Sequence, residues 1–126
     1  MTTKKHILVG ISTPEAQGEE FIAAWERAEK NLPPEEPVDR LYLQNLSMLL
    51  RVLSPKRMEL IQTIKATGPV SIRKLSKELR RDYKNVHTDI SELARLGLVE
   101  MTEKKQAFVP WDVISISAEI PLAKAT

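Results

Sequence analysis

The chain lacks most of the residues on which catalytic and metal sites are built. It contains no cysteine, which excludes a disulfide framework and thiolate metal sites. Its two histidines, His6 and His87, fall in different predicted elements, and no particular carboxylates suggest themselves as their partners. Its four glycines form neither a phosphate-binding loop nor a dinucleotide fingerprint. The sequence therefore predicts a protein that is not an enzyme and that needs no metal or other cofactor.

Long apolar runs are also absent. The apolar stretch near the start, residues 5–11, is interrupted by Gly10 and is too short for a signal-peptide core or a membrane span. With 126 residues, the chain can form one domain and a small appendage. We expect a soluble, cytoplasmic protein with no membrane partner.

The net charge of +2 conceals an asymmetry along the chain. Residues 51–110 carry thirteen Lys and Arg against seven Asp and Glu, whereas residues 1–50 carry five against eight. Six of the basic residues lie within residues 71–87, where only Glu78 and Asp82 oppose them. A solvated helical face could give this clustering, as could a surface that binds nucleic acid.

The basic cluster coincides with two amphipathic repeats. Apolar residues recur every three to four positions at Ile72, Leu75 and Leu79, and again at Val86, Ile90, Leu93 and Leu96. Ser71 and Asp82 can cap the two predicted helices, and Gly97 can end the second in a left-handed conformation. Because only residues 80–82 separate the repeats, the pattern predicts a helix-turn-helix, which favours nucleic acid as the partner of the basic cluster.

The surrounding pattern extends this motif to a winged helix. Helices are predicted over residues 55–67, 72–80 and 83–96, followed by a hairpin whose strands are residues 98–101 and 107–109. The predicted fold class is α+β, with a winged helix-turn-helix domain over residues 51–110. An N-terminal strand-helix extension would occupy residues 1–50, and a C-terminal strand would lie within residues 111–126.

The extension has its own pattern. An apolar strand over residues 5–11 precedes a helix from Pro14 to about Asn31, whose apolar side includes Phe21, Ile22 and Trp25. We expect Trp25 to be a core anchor. The N-terminal strand and the alternating strand over residues 114–120 have no partner within a winged helix. They can complete the sheet of one monomer or pair across a dimer, and we expect them to serve dimerisation, because recognition helices commonly act in two-fold pairs.

The candidate DNA contacts follow from the helical pattern. With Val86, Ile90 and Leu93 turned inward, the outer face and leading end of the second helix carry long or polar side chains that can reach base edges and phosphates. Lysines at the tip of the hairpin can contact phosphate or the minor groove. The predicted DNA-binding residues are Arg73, Lys74, Arg80, Arg81, Tyr83, Lys84, Asn85, His87, Thr88, Lys104 and Lys105.

A family resemblance rests on the segments "SPKR", "GPVSIRKLSKEL" and above all "RDYKNVHTDISELARLGLVE". They resemble the MarR/ArsR-like winged-helix family of predicted prokaryotic transcriptional regulators. The resemblance implies sequence-specific DNA binding and repression, with Tyr83, Lys84, Asn85, His87 and Thr88 as recognition positions and with Arg80 and Arg81 on phosphate. The chain departs from the wider helix-turn-helix pattern at the corner between the helices, where glycine is frequent and this sequence has Arg80 and Arg81.

Two functions are consistent with these observations. The first is a repressor that acts as a homodimer on double-stranded DNA. The alternative, implied by the likeness of some relatives to antitoxins, is a module that binds and neutralises a cognate toxin protein and uses DNA binding for autoregulation. Its protein-binding surface would then include Phe21, Trp25 and the proline-rich, acidic residues 32–37.

Overall fold

The computed structural model describes residues 4–12, 14–31, 39–120 and 122–123, and its class is mixed α+β. The proline-rich residues 32–37 lie outside the described part. In chain order the elements are β1 (His6–Ile11), α1 (Pro14–Glu29), β2 (Asp39–Leu43), α2 (Leu46–Val52), α3 (Pro55–Thr67), β3 (Val70–Ser71), α4 (Ile72–Leu79), α5 (Tyr83–Arg95), β4 (Glu100–Met101), β5 (Gln106–Phe108) and β6 (Val113–Ser117).

These elements form two compact units. The helical unit consists of residues 4–5 and 50–112, and the sheet unit of the described residues within 6–49 and 113–123. The chain passes from the sheet unit to the helical unit within α2 and returns between Asp112 and Val113.

The sheet unit contains a three-stranded parallel sheet in the order β2-β1-β6. The N-terminal and C-terminal strands therefore pair with each other within one chain, which was one of the two alternatives left open by the sequence. Val9 pairs with Leu41 on one side and with Ile116 on the other, so these three side chains share a face of the sheet. Val9 is fully buried on that face, as expected for the central strand of a parallel sheet.

The expectation that Trp25 is a core anchor is wrong. Its side chain is 60% exposed, and the neighbouring Phe21 and Ile22 are 70% and 57% exposed. The physical reason is the orientation of α1, whose polar side faces β2 through Glu20. That carboxylate accepts a hydrogen bond from the Tyr42 hydroxyl at 2.6 Å and forms an ion pair with Arg40 at 2.5 Å. The three apolar side chains of α1 are consequently left in solvent.

The helical unit is built around the apolar sides of α3, α4 and α5. Its helices begin where the sequence predicted, because the hydroxyl of Ser54, the hydroxyl of Ser71 and the carboxylate of Asp82 each accept a backbone N–H three residues further on. The buried apolar residues of this unit are Val52, Leu53, Leu60, Ile61, Ile64, Val70, Leu75, Val86, Ile90, Leu93, Leu98, Val99, Ala107 and Val109.

Helices α4 and α5 end with the same hydrogen-bond pattern. At the end of α5, Gly97 has φ +84°, and the N–H of Leu98 reaches the carbonyl of Leu93. At the end of α4, Arg80 has φ +53°, and the N–H of Arg81 reaches the carbonyl of Ser76. Both ends are Schellman motifs, which require a left-handed residue. The predicted role of Gly97 is confirmed, and Arg80 occupies the equivalent position where glycine is usual.

The helical unit also contains a small three-stranded sheet in the order β3-β5-β4. The antiparallel β4–β5 hairpin was expected, with Glu100 opposite Phe108. Strand β3 was not expected, because its two residues lie between the end of α3 and the cap of α4. Val70 of β3 pairs with Ala107, and this pairing connects the hairpin to the start of α4.

Contacts of Lys5, Trp111 and Asp112 connect the two ends of the chain segments that form the helical unit. The indole N–H of Trp111 donates to the carbonyl of Gly97 at 2.9 Å, and the Lys5 ammonium lies 5.7 Å from the centre of the Trp111 ring. The backbone N–H of Lys5 and the ammonium of Lys65 hold the pKa of the Asp112 carboxyl below its ordinary value. These contacts join residue 5 to the segment that follows the hairpin.

We predict that Leu93→Ala lowers the free energy of unfolding by about 2–5 kcal/mol, because Leu93 is fully buried and its truncation leaves a cavity. Leu50→Ala is the matched control: Leu50 is mostly exposed, and the change should be within about 0.5 kcal/mol. Urea denaturation followed by circular dichroism measures both. Equal effects of the two substitutions would contradict the assigned core.

Candidate nucleic-acid interface

The leading half of α5 presents a polar surface. Asp82 caps the helix by accepting the N–H of Asn85 at 3.3 Å, which fixes the first turn. Since Val86, Ile90 and Leu93 are buried and Asp89 is mostly buried, the remaining positions of the leading half point outward. Every predicted recognition residue on this helix is exposed, namely Tyr83, Lys84, Asn85, His87 and Thr88.

Two of these side chains are free to bind a ligand. Among the described residues, neither the ammonium of Lys84 nor the side-chain amide of Asn85 forms an ion pair or a hydrogen bond. The hydroxyl of Thr88 donates to the carbonyl of Lys84 at 3.0 Å and keeps its oxygen available as an acceptor. The leading turns of α5 thus offer a cation, an amide that both donates and accepts, and a hydroxyl.

A row of basic and aromatic side chains crosses from α4 to α5. The Arg73 guanidinium lies 5.8 Å from the centre of the Tyr83 ring, within the range of a cation–π contact. The Tyr83 and His87 rings are 6.0 Å apart and inclined at 41°. Ser91, which the sequence analysis did not single out, lies 3.4 Å from Nδ1 of His87 through its hydroxyl. The structure therefore brings Arg73, Tyr83 and His87 together on one surface.

Helix α4 adds a second basic residue beside Arg73. Its cap, the hydroxyl of Ser71, accepts the N–H of Lys74 at 3.2 Å, so Arg73 and Lys74 occupy the first turn and both are exposed. Backbone N–H groups at a helix start favour anions, and nearby cations strengthen the attraction.

Two further predicted contacts lie at left-handed backbone positions. Arg80 has φ +53° at the end of α4, and Lys105 has φ +61° in the turn of the hairpin, where its N–H donates to the carbonyl of Thr102 at 2.9 Å. Both side chains are exposed, as is Lys104. A left-handed conformation costs a residue with a side chain roughly 1–2 kcal/mol, and glycine avoids this cost. Long basic side chains therefore stand where backbone conformation alone would favour glycine.

Arg81 is placed differently from the other candidates. Its side chain is only 22% exposed, and Nη2 donates to Oδ2 of Asp89 at 2.7 Å. The other oxygen of Asp89 accepts from Nε of Arg57 at 3.2 Å, and Asp89 is itself 17% exposed. The structure thus turns Arg81 inward, toward Asp89 in the middle of α5. Sequence reasoning missed Arg57 and Asp89; the one available signal was an acidic residue within a basic segment.

The part of the chain that carries this surface has a family match. The HVO_A0114 family matches residues 52–116, which are 65 of the 126 residues. The chain belongs to the HVO_A0114 family. Every residue of the candidate interface lies within the matched range, as do α3, α4, α5 and the β4–β5 hairpin. The HVO_A0114 designation names no ligand and no activity.

No curated protein and no solved structure matches the chain significantly. Within residues 4–12, 14–31, 39–120 and 122–123, no group of His, Asp and Glu side chains is arranged to hold a metal ion. None of the helices in those ranges has the length and hydrophobicity that a bilayer crossing demands.

We predict that Arg81→Ala lowers the free energy of unfolding by about 1–3 kcal/mol, because it removes one of the two partners of a poorly exposed carboxylate. The neighbouring Arg80→Ala should change it by no more than about 0.5 kcal/mol, since Arg80 is exposed. Thermal denaturation of both variants, and a double-mutant cycle of Arg81 with Asp89, test this. Unchanged stability together with weaker DNA binding would instead place Arg81 on a phosphate.

Proposed function

We propose that the protein is a sequence-specific DNA-binding transcriptional regulator, a repressor that acts as a homodimer. In this proposal residues 51–110 form a winged helix-turn-helix domain of the kind found in MarR/ArsR-like regulators. Helix α4 is the first helix of the motif, α5 is the recognition helix, and the β4–β5 hairpin is the wing. The order of three helices followed by a hairpin supports this assignment.

The observation that carries the proposal is the conformation of Arg80 and Lys105. Among the described residues, three residues other than glycine have positive φ, and two of them are these candidate contacts. Neither basic side chain makes an ion pair with a described residue that would offset the backbone cost. A polyanionic ligand provides the missing compensation, because each basic side chain on a phosphate releases a condensed counterion.

The roles of the other residues follow from their chemistry. Lys84 and Asn85 contact base edges in the major groove, where lysine suits guanine and asparagine suits adenine. Tyr83, His87 and Thr88 add contacts from the same turns of α5. Arg73, Lys74, Arg80, Lys104 and Lys105 neutralise phosphates, and the Tyr83 ring keeps the Arg73 guanidinium in place. Arg81 acts through Asp89 by positioning α5.

The decisive experiment is fluorescence anisotropy with a duplex from the protein's own promoter and with a scrambled duplex, over a series of salt concentrations. We expect the promoter duplex to bind at least about a thousandfold more tightly. With five phosphate contacts in each protomer of the dimer, the logarithm of affinity should fall against the logarithm of salt with a slope of about −9. Equal, weak binding of both duplexes would overturn the proposal.

A sharper test uses the left-handed positions. Arg80→Gly and Lys105→Gly should each leave stability unchanged or raise it by up to about 1 kcal/mol, because glycine adopts positive φ freely. Each should weaken binding by the proposed dimer roughly tenfold or more on both duplexes and make the salt slope shallower by about 2, about 1 for each protomer.

Asn31→Gly is the matched control for this pair. Asn31 also has positive φ, at +54°, but it follows α1 and lies outside the candidate interface. The same exchange there should leave DNA affinity and salt dependence unchanged. If all three glycine variants lost affinity equally, the loss would reflect a general change in the backbone and not the removal of two phosphate contacts.

A second candidate function is supported by the exposed apolar side of α1. Phe21, Ile22 and Trp25 are all more than half exposed, and such patches often mark protein-binding sites. In this alternative the protein is an antitoxin-type module that neutralises a toxin protein. Co-expression with the product of an adjacent reading frame, followed by size-exclusion chromatography, discriminates between the two. A complex that is lost in Trp25→Lys and retained in Arg80→Gly would favour the antitoxin.

A further inference from the structure

The parallel sheet has two outer edges with different chemistry. One edge is β2, which begins with the charged pair Asp39 and Arg40. The other is β6, whose sequence VISIS contains no charged residue and no proline. In the described part of the chain no strand pairs with the outer side of β6. Natural sheets protect such edges with charges, proline, bulges or a cover, so β6 has the properties of an edge that a further strand completes.

The exposure of Ile116 indicates which surface the further strand would cover. Ile116 pairs in register with Val9, so both side chains lie on the same face of the sheet. Val9 is fully buried and Ile116 is 49% exposed, because Ile116 has a neighbouring strand on one side only. Beyond the strand, Ile120 and Leu122 are also exposed. The apolar layer of the sheet therefore continues to its edge and ends there in solvent.

We infer that β6 pairs in antiparallel fashion with β6 of a second copy of this chain, joining two three-stranded sheets into one of six strands. A second copy brings an edge with the same uncharged alternation of isoleucine and serine. All five residues of β6 find a partner only when the two-fold axis passes through Ser115. Ile114 then lies opposite Ile116 of the second copy and Ile116 opposite its Ile114, so both isoleucines of each copy stay on the face of Val9.

Symmetry favours pairing of β6 with β6 over pairing of β6 with β2 of another copy. Pairing β6 with β2 of another copy would be heterologous, could repeat without closing, and would bring Asp39 and Arg40 beside an apolar strand. Pairing β6 with itself is isologous and stops at two copies. The choice of a second copy as the occupant rests on the proposed function, because a two-fold regulator reads two half-sites.

The absence of cysteine allows a direct test by disulfide trapping. In the inferred register the Cα atoms of the two Ser115 residues would be about 4.5–5.5 Å apart, which is within the range that a disulfide spans. Ser115→Cys should therefore form a covalent dimer under mild oxidation at low micromolar concentration. The control is Ser47→Cys, the same exchange at an exposed serine of α2, which should remain uncrosslinked. Ser115→Ala should stay dimeric in sedimentation, because the pairing uses the backbone of this residue.

A second variant tests the apolar part of the interface. Ile116→Lys places a charge on the edge and should convert the dimer to a monomer in sedimentation equilibrium, with an unchanged far-ultraviolet circular dichroism spectrum. Trp25→Lys, a change of the same kind on the exposed side of α1, should leave the dimer intact. A wild-type protein that is monomeric at all concentrations would overturn the inference. So would a dimer that Trp25→Lys dissociates and that Ser115→Cys fails to trap.

These outcomes are separable from those of the proposed function. A trapped Ser115 dimer that binds promoter and scrambled DNA equally weakly would leave the interface standing and refute the regulator. Specific promoter binding by a protein that Ser115→Cys does not trap, and that Ile116→Lys leaves dimeric, would refute the interface and leave the regulator standing. If the interface and the regulator function are both correct, Ile116→Lys should bind an isolated half-site as the wild type does. Its affinity for the full site should fall at least tenfold.

Discussion

The surface of the helical unit depends on one carboxylate, that of Asp89. It lies on the inner side of α5 and accepts hydrogen bonds from Arg57 at the start of α3 and from Arg81 in the corner between α4 and α5. One acidic residue therefore connects α5 to the corner that precedes it and to the start of α3, which is 32 residues away in sequence. Because two guanidinium groups face one carboxylate, the three side chains together carry a net positive charge. Packing of Leu75, Val86 and Ile90 holds the helices together, and Asp89 fixes where the leading turn of α5 is presented.

The ends of α4 and α5 have the same backbone conformation but use different residues to adopt it. The Schellman motif at the end of α5 uses Gly97, the residue that adopts positive φ without cost, and the same motif at the end of α4 uses Arg80. The Schellman motif therefore forms in this chain with either glycine or arginine at the left-handed position. What Arg80 gains over glycine is a cation at the corner that precedes α5, and Lys105 gains the same at the tip of the hairpin. Such conformations persist where the surroundings impose them, and they concentrate at functional sites.

Sequence patterns among neighbouring residues predicted most of the helical unit. They could not predict pairings between residues that are distant in the sequence. The starts of α3, α4 and α5 were predictable because a cap is a contact between residues three apart, and the buried faces because a helix repeats every 3.6 residues. The apolar run at β1 and the alternation at β6 indicated strands. Neither pattern could identify the strand's partner, because it shows which side chains are buried and not which strand lies alongside. The sequence likewise could not show which basic side chains are exposed and which are paired. Arg80 and Arg81 are equivalent in sequence, and only the position of Asp89 turns Arg81 inward. For α1 the apolar stripe was recognised correctly, but the contacts of Glu20 with Arg40 and Tyr42 direct the opposite side of the helix to the sheet.

Each of the two units has features that lower the stability of the isolated chain, and the physical kind of cost differs between the units. In the helical unit the costs are conformational and electrostatic: basic side chains are held at left-handed positions without an acidic partner. In the sheet unit they are hydrophobic: an uncharged strand edge and the apolar side of α1 remain in water. A ligand that binds only the folded chain stabilises it in proportion to its occupancy, so each kind of cost is recovered by a different partner. A polyanion can offset the first kind and has no means to offset the second, which requires an apolar or strand-forming surface. The proposed dimer on DNA would offset the conformational cost at the basic positions and the hydrophobic cost at the edge of β6.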